Sequence, residues 1–300
     1  MLSLRPLHQH FAAEIAGLDL TKPLRPAQFA ELRDAWNRYG VLVIRGQAIA
    51  ESHQIAFAKQ FGTLERFPPA ADGRPGGPEL VRVSNAREDG SFFESTDPPM
   101  KYLAMTRAWH KDTSYKRVPG FATILRAVQV PDEGGETEFI DLRAAFDGLP
   151  RGEQDRLKGL AAPHSYGQAM KACGIEGSVA PSRVAAVHPL IAWHDEGRRS
   201  LFLSPLHMHT IEGMDDNDSG ALLAELVQWS TKPSLIYRHV WRKDDVLLWD
   251  NRTTMHRGMP CADRAVVRTL HRVVINGEGY VERLFAPPEA TLPRRPYARE

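Results

Sequence analysis

His110 and Asp112 stand two residues apart in Trp109-His-Lys-Asp-Thr-Ser-Tyr115, and His256 lies far downstream in Trp249-Asp-Asn-Arg-Thr-Thr-Met-His-Arg257. Two imidazoles and one carboxylate can occupy one face of an octahedral iron(II) and leave three positions open, which suits dioxygen chemistry at a non-haem ferrous ion. A strand near 107–115 would make the spacing usable, because side chains i and i+2 of a strand share a face while Lys111 points elsewhere. A His-x-Asp by itself is weak evidence, since most such pairs are ordinary surface or core contacts. The argument therefore rests on what accompanies it.

Arg268 and Arg272 follow in Arg268-Thr-Leu-His-Arg-Val-Val-Ile275, a run rich in β-branched residues that reads as a strand. Period two puts both guanidiniums on one face, and each can grip a carboxylate through a two-pronged, charge-assisted hydrogen bond. Alone, the pair would read as an exposed arginine ladder; with the histidine at 256 the strand could bind two anions, or two ends of a site.

The elements that must position these residues can be read from the rest of the chain. Its 300 residues suffice for one large domain or two ordinary ones, and 42% apolar residues are enough for a substantial core. Lys and Arg number 38 against 37 Asp and Glu, so no global field favours nucleic acid or an anionic membrane, and anion specificity must be local. Cys173 and Cys261 are too few for a disulfide framework and lack zinc-site spacing. We expect a reducing, cytoplasmic setting, with no signal peptide and no membrane span.

Phe29, Leu32 and Trp36 fall at helical spacing, Val41-Leu-Val-Ile44 reads as a buried strand, and Glu51–Phe61 repeats the helical pattern. Residues 67–77, rich in Pro and Gly, read as a long loop of the kind that forms lids. Short strands are expected at Leu80–Ser84, near 107–115, at Ala122–Val128, Gly134–Ile140, Ser234–Trp241 and Asp245–Trp249. Helical patterns replace strands between about 142 and 232, which reads as a helical insertion, and the tail from about 285 to 300 reads as mobile. Together these give a mainly β chain with helices (α+β), a double-sheet jelly-roll core, and a single domain over 1–300.

The motifs Gln54-Ile-Ala-Phe-Ala-Lys-Gln-Phe-Gly62, Trp109-His-Lys-Asp112, Gly134-Gly-Glu-Thr-Glu-Phe139 with Asp141-Leu-Arg-Ala-Ala-Phe146, and Trp249-Asp-Asn-Arg252 with His256-Arg257 closely resemble the taurine dioxygenase family. Within these iron(II)- and 2-oxoglutarate-dependent oxygenases, the 2,4-dichlorophenoxyacetate dioxygenase branch is most similar, over about residues 7–275. The resemblance implies that His110, Asp112 and His256 ligate iron, that Thr137 and Arg268 hold the distal carboxylate of 2-oxoglutarate, and that Arg272 holds the substrate's anion. It implies a double-stranded β-helix form of that jelly-roll core, oxidative decarboxylation by dioxygen to succinate and carbon dioxide, and assembly as a homo-oligomer. A small aryloxyalkanoate or similar carboxylate cleaved at its ether is the expected substrate; taurine, an alkylsulfonate or an alkylsulfate is the alternative. Relatives commonly place Asn four residues before the first ligand where this chain has Thr106, so a polar contact beside substrate and cosubstrate differs.

Other candidates have weaker cases. Asn85 follows an expected strand beside the proposed lid and could touch substrate or cap a turn. His207 and His209 have metal-pair spacing but no acidic or cysteine neighbour, and a polar lining of the substrate pocket is the stronger reading. His188, before a proline, suggests a loop contact, and His271 a structural residue facing away from Arg272. A cupin-like metal hydrolase could use the same three ligands without needing Thr137 and Arg268 together, and a non-catalytic binding protein would not need an open-sided triad.

Overall fold

In the computed structural model, residues 2–67, 77–175, 185–194, 197–262, 265–278, 280 and 284–285 are described. β1 (Ser3–Pro6) and β2 (Ala13–Ala16) precede α1 (Pro26–Tyr39), β3 (Val41–Ile44) and α2 (Glu51–Lys59). Next come β4 (Leu80–Ser84), α3 (Pro98–Met105), β5 (Ala122–Gln129) and β6 (Thr137–Asp141). The middle of the chain holds α4 (Leu142–Asp147), α5 (Arg151–Arg156), β7 (Ala161–Ser165), α6 (Tyr166–Ala172), β8 (Ala185–Pro189), β9 (Ile191–Trp193), β10 (Arg199–Leu201) and α7 (Asp216–Ser230). β11 (Ile236–His239), β12 (Val246–Asp250), β13 (Thr254–Gly258) and β14 (Thr269–Ile275) follow. The chain is thus a mixed α and β protein.

Two sheets carry the architecture: a seven-stranded one in the order β1-β2-β3-β12-β5-β14-β4, and a three-stranded one in the order β11-β6-β13. Alternation along the strands decides the layers. Val41 and Val43 of β3, Leu125 of β5, Leu247 and Trp249 of β12 and Leu270 of β14 pack with Phe139 of β6 and Tyr237 of β11, so one core lies between the sheets. Their alternates Leu42, Ile44, Ile124, Val246, Leu248 and Val273 face the other way, against Leu32 and Trp36 of α1 and Phe57 of α2. Behind the small sheet, Ile140 and Met255 meet Phe146 of α4 and Leu222 and Leu226 of α7. Every strand residue in this middle region is therefore buried on one face or the other, which explains the near-continuous apolar runs at β3 and β12.

Local chemistry sets the helix ends. α1 begins at Pro26, whose missing N–H costs nothing at a first helical position, and ends at Gly40, whose φ of 68° suits glycine and whose N–H bonds the Trp36 carbonyl. Asp141 caps α4 through the Arg143 N–H and Asp215 caps α7 through the Asp218 N–H. α2 is tied to the large sheet by Gln54, fully buried, whose amide donates to the carbonyls of Ile124 and His271.

Three expectations need correction. Residues 107–115 form no strand: His110 makes an isolated antiparallel bridge with His256, and the chain then turns, with Thr113 at φ 52°. The Thr113 hydroxyl accepts the Gly120 N–H and so stabilises that turn. His110 and Asp112 still converge, by a bridge followed by a turn. The segment 142–232 is also not purely helical, because β7 pairs with β8 and β9 with β10 in two small antiparallel sheets among its helices. Their strands span only three to five residues, too short for period two to stand out in sequence. β6 starts at Thr137 and not at Gly134, since Gly134 and Gly135 have φ of 78° and 71° and turn the chain. Most of the 67–77 loop and of the 285–300 tail lies outside the described residues. No helix among those described is long and apolar enough to cross a membrane.

Candidate metal and anion site

His110, Asp112 and His256 meet at the mouth of the space between the two sheets. Their ligand atoms all lie within 4.8 Å of one another, all three residues are buried, and they form the one such cluster of metal-binding side chains among the described residues. β13 carries His256; reciprocal 2.9 Å backbone hydrogen bonds between His256 and His110 fix the two histidines side by side, with ring centroids 4.3 Å apart. The rings of Phe139 and Trp249 pack on His256, at 5.9 and 4.7 Å, and hold its plane.

The donor set fits a divalent metal. Burial pushes both imidazoles below their ordinary pKa, so each is neutral and keeps a lone pair. His110 Nδ1 lies 2.8 Å from the Ala108 carbonyl, which assigns the proton to Nδ1 and leaves Nε2 to bind. Burial opposes the charge on Asp112, but the Arg272 guanidinium and the hydrogen bond from the Thr123 hydroxyl help hold the carboxyl at about 2. A relay aims that carboxylate: Trp249 Nε1 donates to Asn251 Oδ1 (2.9 Å), Asn251 Nδ2 to Thr123 Oγ1 (2.9 Å), and Thr123 Oγ1 to Asp112 Oδ2 (2.7 Å). Sequence reasoning missed Thr123 and Asn251, because a hydroxyl and an amide that orient a ligand carry no spacing signal.

Beside the triad lies a space lined by Thr137, Arg268, Arg272, Tyr102, Thr106 and Trp249. Thr137 Oγ1 accepts from Trp241 Nε1 (3.0 Å), so its own proton is available to an acceptor. Arg268 precedes β14, at a register shift between Thr269 and Leu270, and donates from Nε to the Gly135 carbonyl (2.9 Å). A Cβ on Gly135 would sit 2.9 Å from the Arg268 side chain, so the glycine makes room for this arginine. No carboxylate pairs with Arg268 among the described residues, and burial lowers its guanidinium to about 10. A partly buried cation without a carboxylate partner, next to a hydroxyl with a proton to donate, is what the distal carboxylate of a dicarboxylic acid would complete.

Arg272 faces the same space from β14. Its Nη1 donates to Asp112 Oδ1 (3.1 Å) and to the Tyr102 hydroxyl (2.8 Å), while its buried Nε has no partner. The phenol accepts that bond, which leaves the Tyr102 proton for another acceptor. Phe67 lies 5.0 Å from the guanidinium, at ring-centroid distance. Tyr102, eight residues before His110 on α3, was not singled out from sequence, since one tyrosine on an amphipathic helix looks like packing.

The remaining candidates separate. Thr106 lines the space, but its hydroxyl donates to the Leu103 carbonyl (2.9 Å) at the end of α3. The Asn85 amide donates to the Val266 carbonyl (2.9 Å) and accepts the Arg268 N–H (2.8 Å), so it sets the backbone that presents Arg268. His207 is buried behind the triad, 6.4 Å from the His110 ring, with Nδ1 bonded to Ser204 and Ser114. His209 is exposed and is not brought to the site. His188 contacts the Lys116 carbonyl (3.0 Å), and His271 turns to Arg126 and Glu51 on the opposite face of β14 from Arg272.

Residues 3–274 match the family model described as taurine catabolism dioxygenase TauD, TfdA family. The chain is similar to the alpha-ketoglutarate-dependent 2,4-dichlorophenoxyacetate dioxygenase of Cupriavidus pinatubonensis, with 35% identity over 84% of this chain and 90% of the relative. It is also similar to the (S)-phenoxypropionate/alpha-ketoglutarate-dioxygenase of Sphingobium herbicidovorans, with 34% identity over 86% of this chain and 89% of the relative. Among solved structures, AAD-2 in complex with Mn(II) and N-oxalylglycine superposes with a TM-score of 0.83 at 32% identity, covering 93% of this chain and 98% of that one.

Proposed function

The chain belongs to the TauD, TfdA family of dioxygenases, and from that premise we propose that it hydroxylates an aryloxyalkanoate, or a closely similar carboxylate, at the carbon bearing the ether oxygen. It is a non-haem iron(II), 2-oxoglutarate-dependent dioxygenase acting on a small organic anion. The observation that carries the substrate reading is the pairing of Arg272 with Tyr102 at the edge of the triad, a planar cation and a phenol proton that a carboxylate can bridge.

Bound at His110, Asp112 and His256, the ferrous ion with 2-oxoglutarate and dioxygen supplies the oxidation, releasing succinate and carbon dioxide. The chain's own residues do the rest. Arg268 and the Thr137 hydroxyl would take the distal carboxylate of 2-oxoglutarate. Arg272 and Tyr102 take the substrate's carboxylate, which turns one C–H toward the triad and holds the ring end away from it. The aromatic lining excludes water from the reacting carbon. The hydroxylated ether is a hemiacetal, whose C–O bond breaks to give a phenol and the corresponding 2-oxo acid or glyoxylate.

The same reading takes the chain as one dioxygenase domain over 1–300 with a double-stranded β-helix core, supported by the two sheets enclosing the core that ends at the triad. It takes the enzyme as a cytoplasmic homo-oligomer, which light scattering on the purified protein checks. The test of function is succinate release by iron-loaded protein across phenoxyacetates, both enantiomers of phenoxypropionates, taurine, alkylsulfonates and alkylsulfates. Stimulation by the aryloxy acids together with stoichiometric phenol supports the proposal; stimulation by sulfonates or sulfates alone overturns it.

A further inference from the structure

Lys111 stands between two of the three candidate ligands, yet its side chain runs away from them. It is 1% exposed, and its Nζ donates to three backbone carbonyls, those of Asn251 (3.1 Å), Arg252 (3.1 Å) and Thr254 (3.0 Å). An ammonium has three N–H groups and no acceptor, so three carbonyls satisfy it fully. The Phe202 ring covers it, with its centroid 4.9 Å from Nζ, and the Lys111 N–H is fixed to Ser204 Oγ (3.0 Å). Two of the carbonyls belong to the turn between β12 and β13, which also supplies Asn251 to the relay on Asp112, and the third to Thr254, the first residue of β13, two residues before His256.

We propose that Lys111 is a positioning residue for the metal centre: its buried ammonium clamps the 251–254 turn and thereby sets His256 and Asn251 against His110 and Asp112 before any metal arrives. Without it, the turn would keep the Asn251 N–H on the Phe121 carbonyl, the Leu142 N–H on the Thr253 carbonyl and the Thr254 hydroxyl on the Asp250 carbonyl, but the carbonyls of Asn251, Arg252 and Thr254 would lose the one donor that ties all three together. Lysine gathers three donors on a single atom at the end of a flexible apolar stem, whereas arginine spreads its five over a planar fork. Residues that orient ligands from behind typically change metal affinity about 10–100-fold when removed.

The inference rests on the triad reading, and Co(II) titration followed by its visible absorption separates the two. In the wild-type protein Co(II) binds; His256→Ala abolishes the site, and a His256→Ala protein that binds Co(II) like wild type defeats the triad reading itself. Lys111→Met is expected to weaken Co(II) about 10–100-fold and to alter its absorption bands. Lys111→Gln, which keeps two donors on a shorter stem, is expected to fall between. A Lys111→Met protein that unfolds at lower temperature but binds Co(II) with wild-type affinity and spectrum overturns the proposal and leaves Lys111 a packing residue. Should neither variant fold, amide exchange of the metal-free wild type decides. Slow exchange at Asn251, Thr253 and His256, unchanged by Co(II), is expected; fast exchange that only Co(II) slows shows that the metal and not Lys111 orders the turn.

Discussion

At the residue scale, the site is a set of charges arranged so that anions complete it. Arg272 is held between Asp112 and Tyr102, with its Nε unpartnered, and a charge-assisted hydrogen bond to a bound carboxylate contributes about 1.5–3 kcal/mol. Arg272→Ala is therefore expected to raise the KM for the aryloxy acid about 10–100-fold in succinate assays, while Tyr102→Phe, which loses one neutral donor worth about 1 kcal/mol, raises it about fivefold. Both should leave the KM for 2-oxoglutarate unchanged, and a shift in that constant instead would assign Arg272 to the cosubstrate. Arg272→Lys should behave nearly as Arg272→Ala, because an ammonium cannot bond Asp112, Tyr102 and a carboxylate in one plane. At the other anion, Thr137→Val removes the donor and leaves Trp241 Nε1 without its acceptor. The expected result is about a tenfold rise in the KM for 2-oxoglutarate and a lower melting temperature, both following from an unmade buried hydrogen bond costing about 1–3 kcal/mol. Of these residues, the clustered His110, Asp112 and His256 and the two arginines proposed as anion sites, Arg268 and Arg272, were legible as types at spacings. Those that aim them, Thr123, Asn251, Tyr102 and Trp241, were not, because their partners lie as far as 170 residues away in the chain.

At the scale of elements, β6 is the hinge of the small sheet. Glu138 sits opposite Arg238 of β11 and Arg257 of β13 in register, and its buried carboxylate pairs with both, at 2.6 and 2.7 Å. Its two partners are partly exposed, so a substitution leaves them able to reach water and avoids the full penalty of a stranded buried charge. Glu138→Ala should cost about 1–3 kcal/mol of stability, seen as a melting temperature lower by several degrees, with metal affinity changed only a few-fold. A much larger loss of metal binding would mean that the Glu138–Arg257 pair positions His256. Helices α1, α2, α4 and α7 and most strands of the two sheets were legible from period and composition. The strand expected near 107–115 was not there, because the i, i+2 pattern of ligand residues is satisfied equally by a bridge followed by a turn. β7–β10 escaped notice because their hairpins are short and lie among stronger helical patterns.

At the scale of the whole molecule, stability is set partly by histidines buried without charge. Burial pushes His194 and His207 down to about 3 and His164 well below 6.5. In the unfolded chain these groups bind protons near 6.5, so between that value and about 3 the unfolded state holds more protons and stability rises with pH. The metal-free protein should therefore lose stability as pH falls from 7.5 to 5, by about 2 kcal/mol for each fully neutral histidine at pH 5. Carboxylates held low, such as Asp112 and Asp250, lose their contribution only below about pH 4 and do not mask this window. Thermal melts at pH 7.5, 6.5 and 5.0 check it, and a flat melting temperature across the series would contradict neutral burial.

The amino-acid sequence alone determined the family and the kind of metal centre, and it pointed to two arginines as the proposed anion sites, because residue types at fixed separations survive translation into any compatible backbone. It determined most of the elements, because burial on one face leaves a period that composition cannot hide. Tertiary structure alone decided that Lys111 grips the turn before His256, that Trp249 reaches Asp112 through Asn251 and Thr123, and that Arg272 rests against Tyr102. The physical reason is that a hydrogen bond is selected by distance and angle in space, and nothing in the order of residues along the chain states which donor will meet which acceptor.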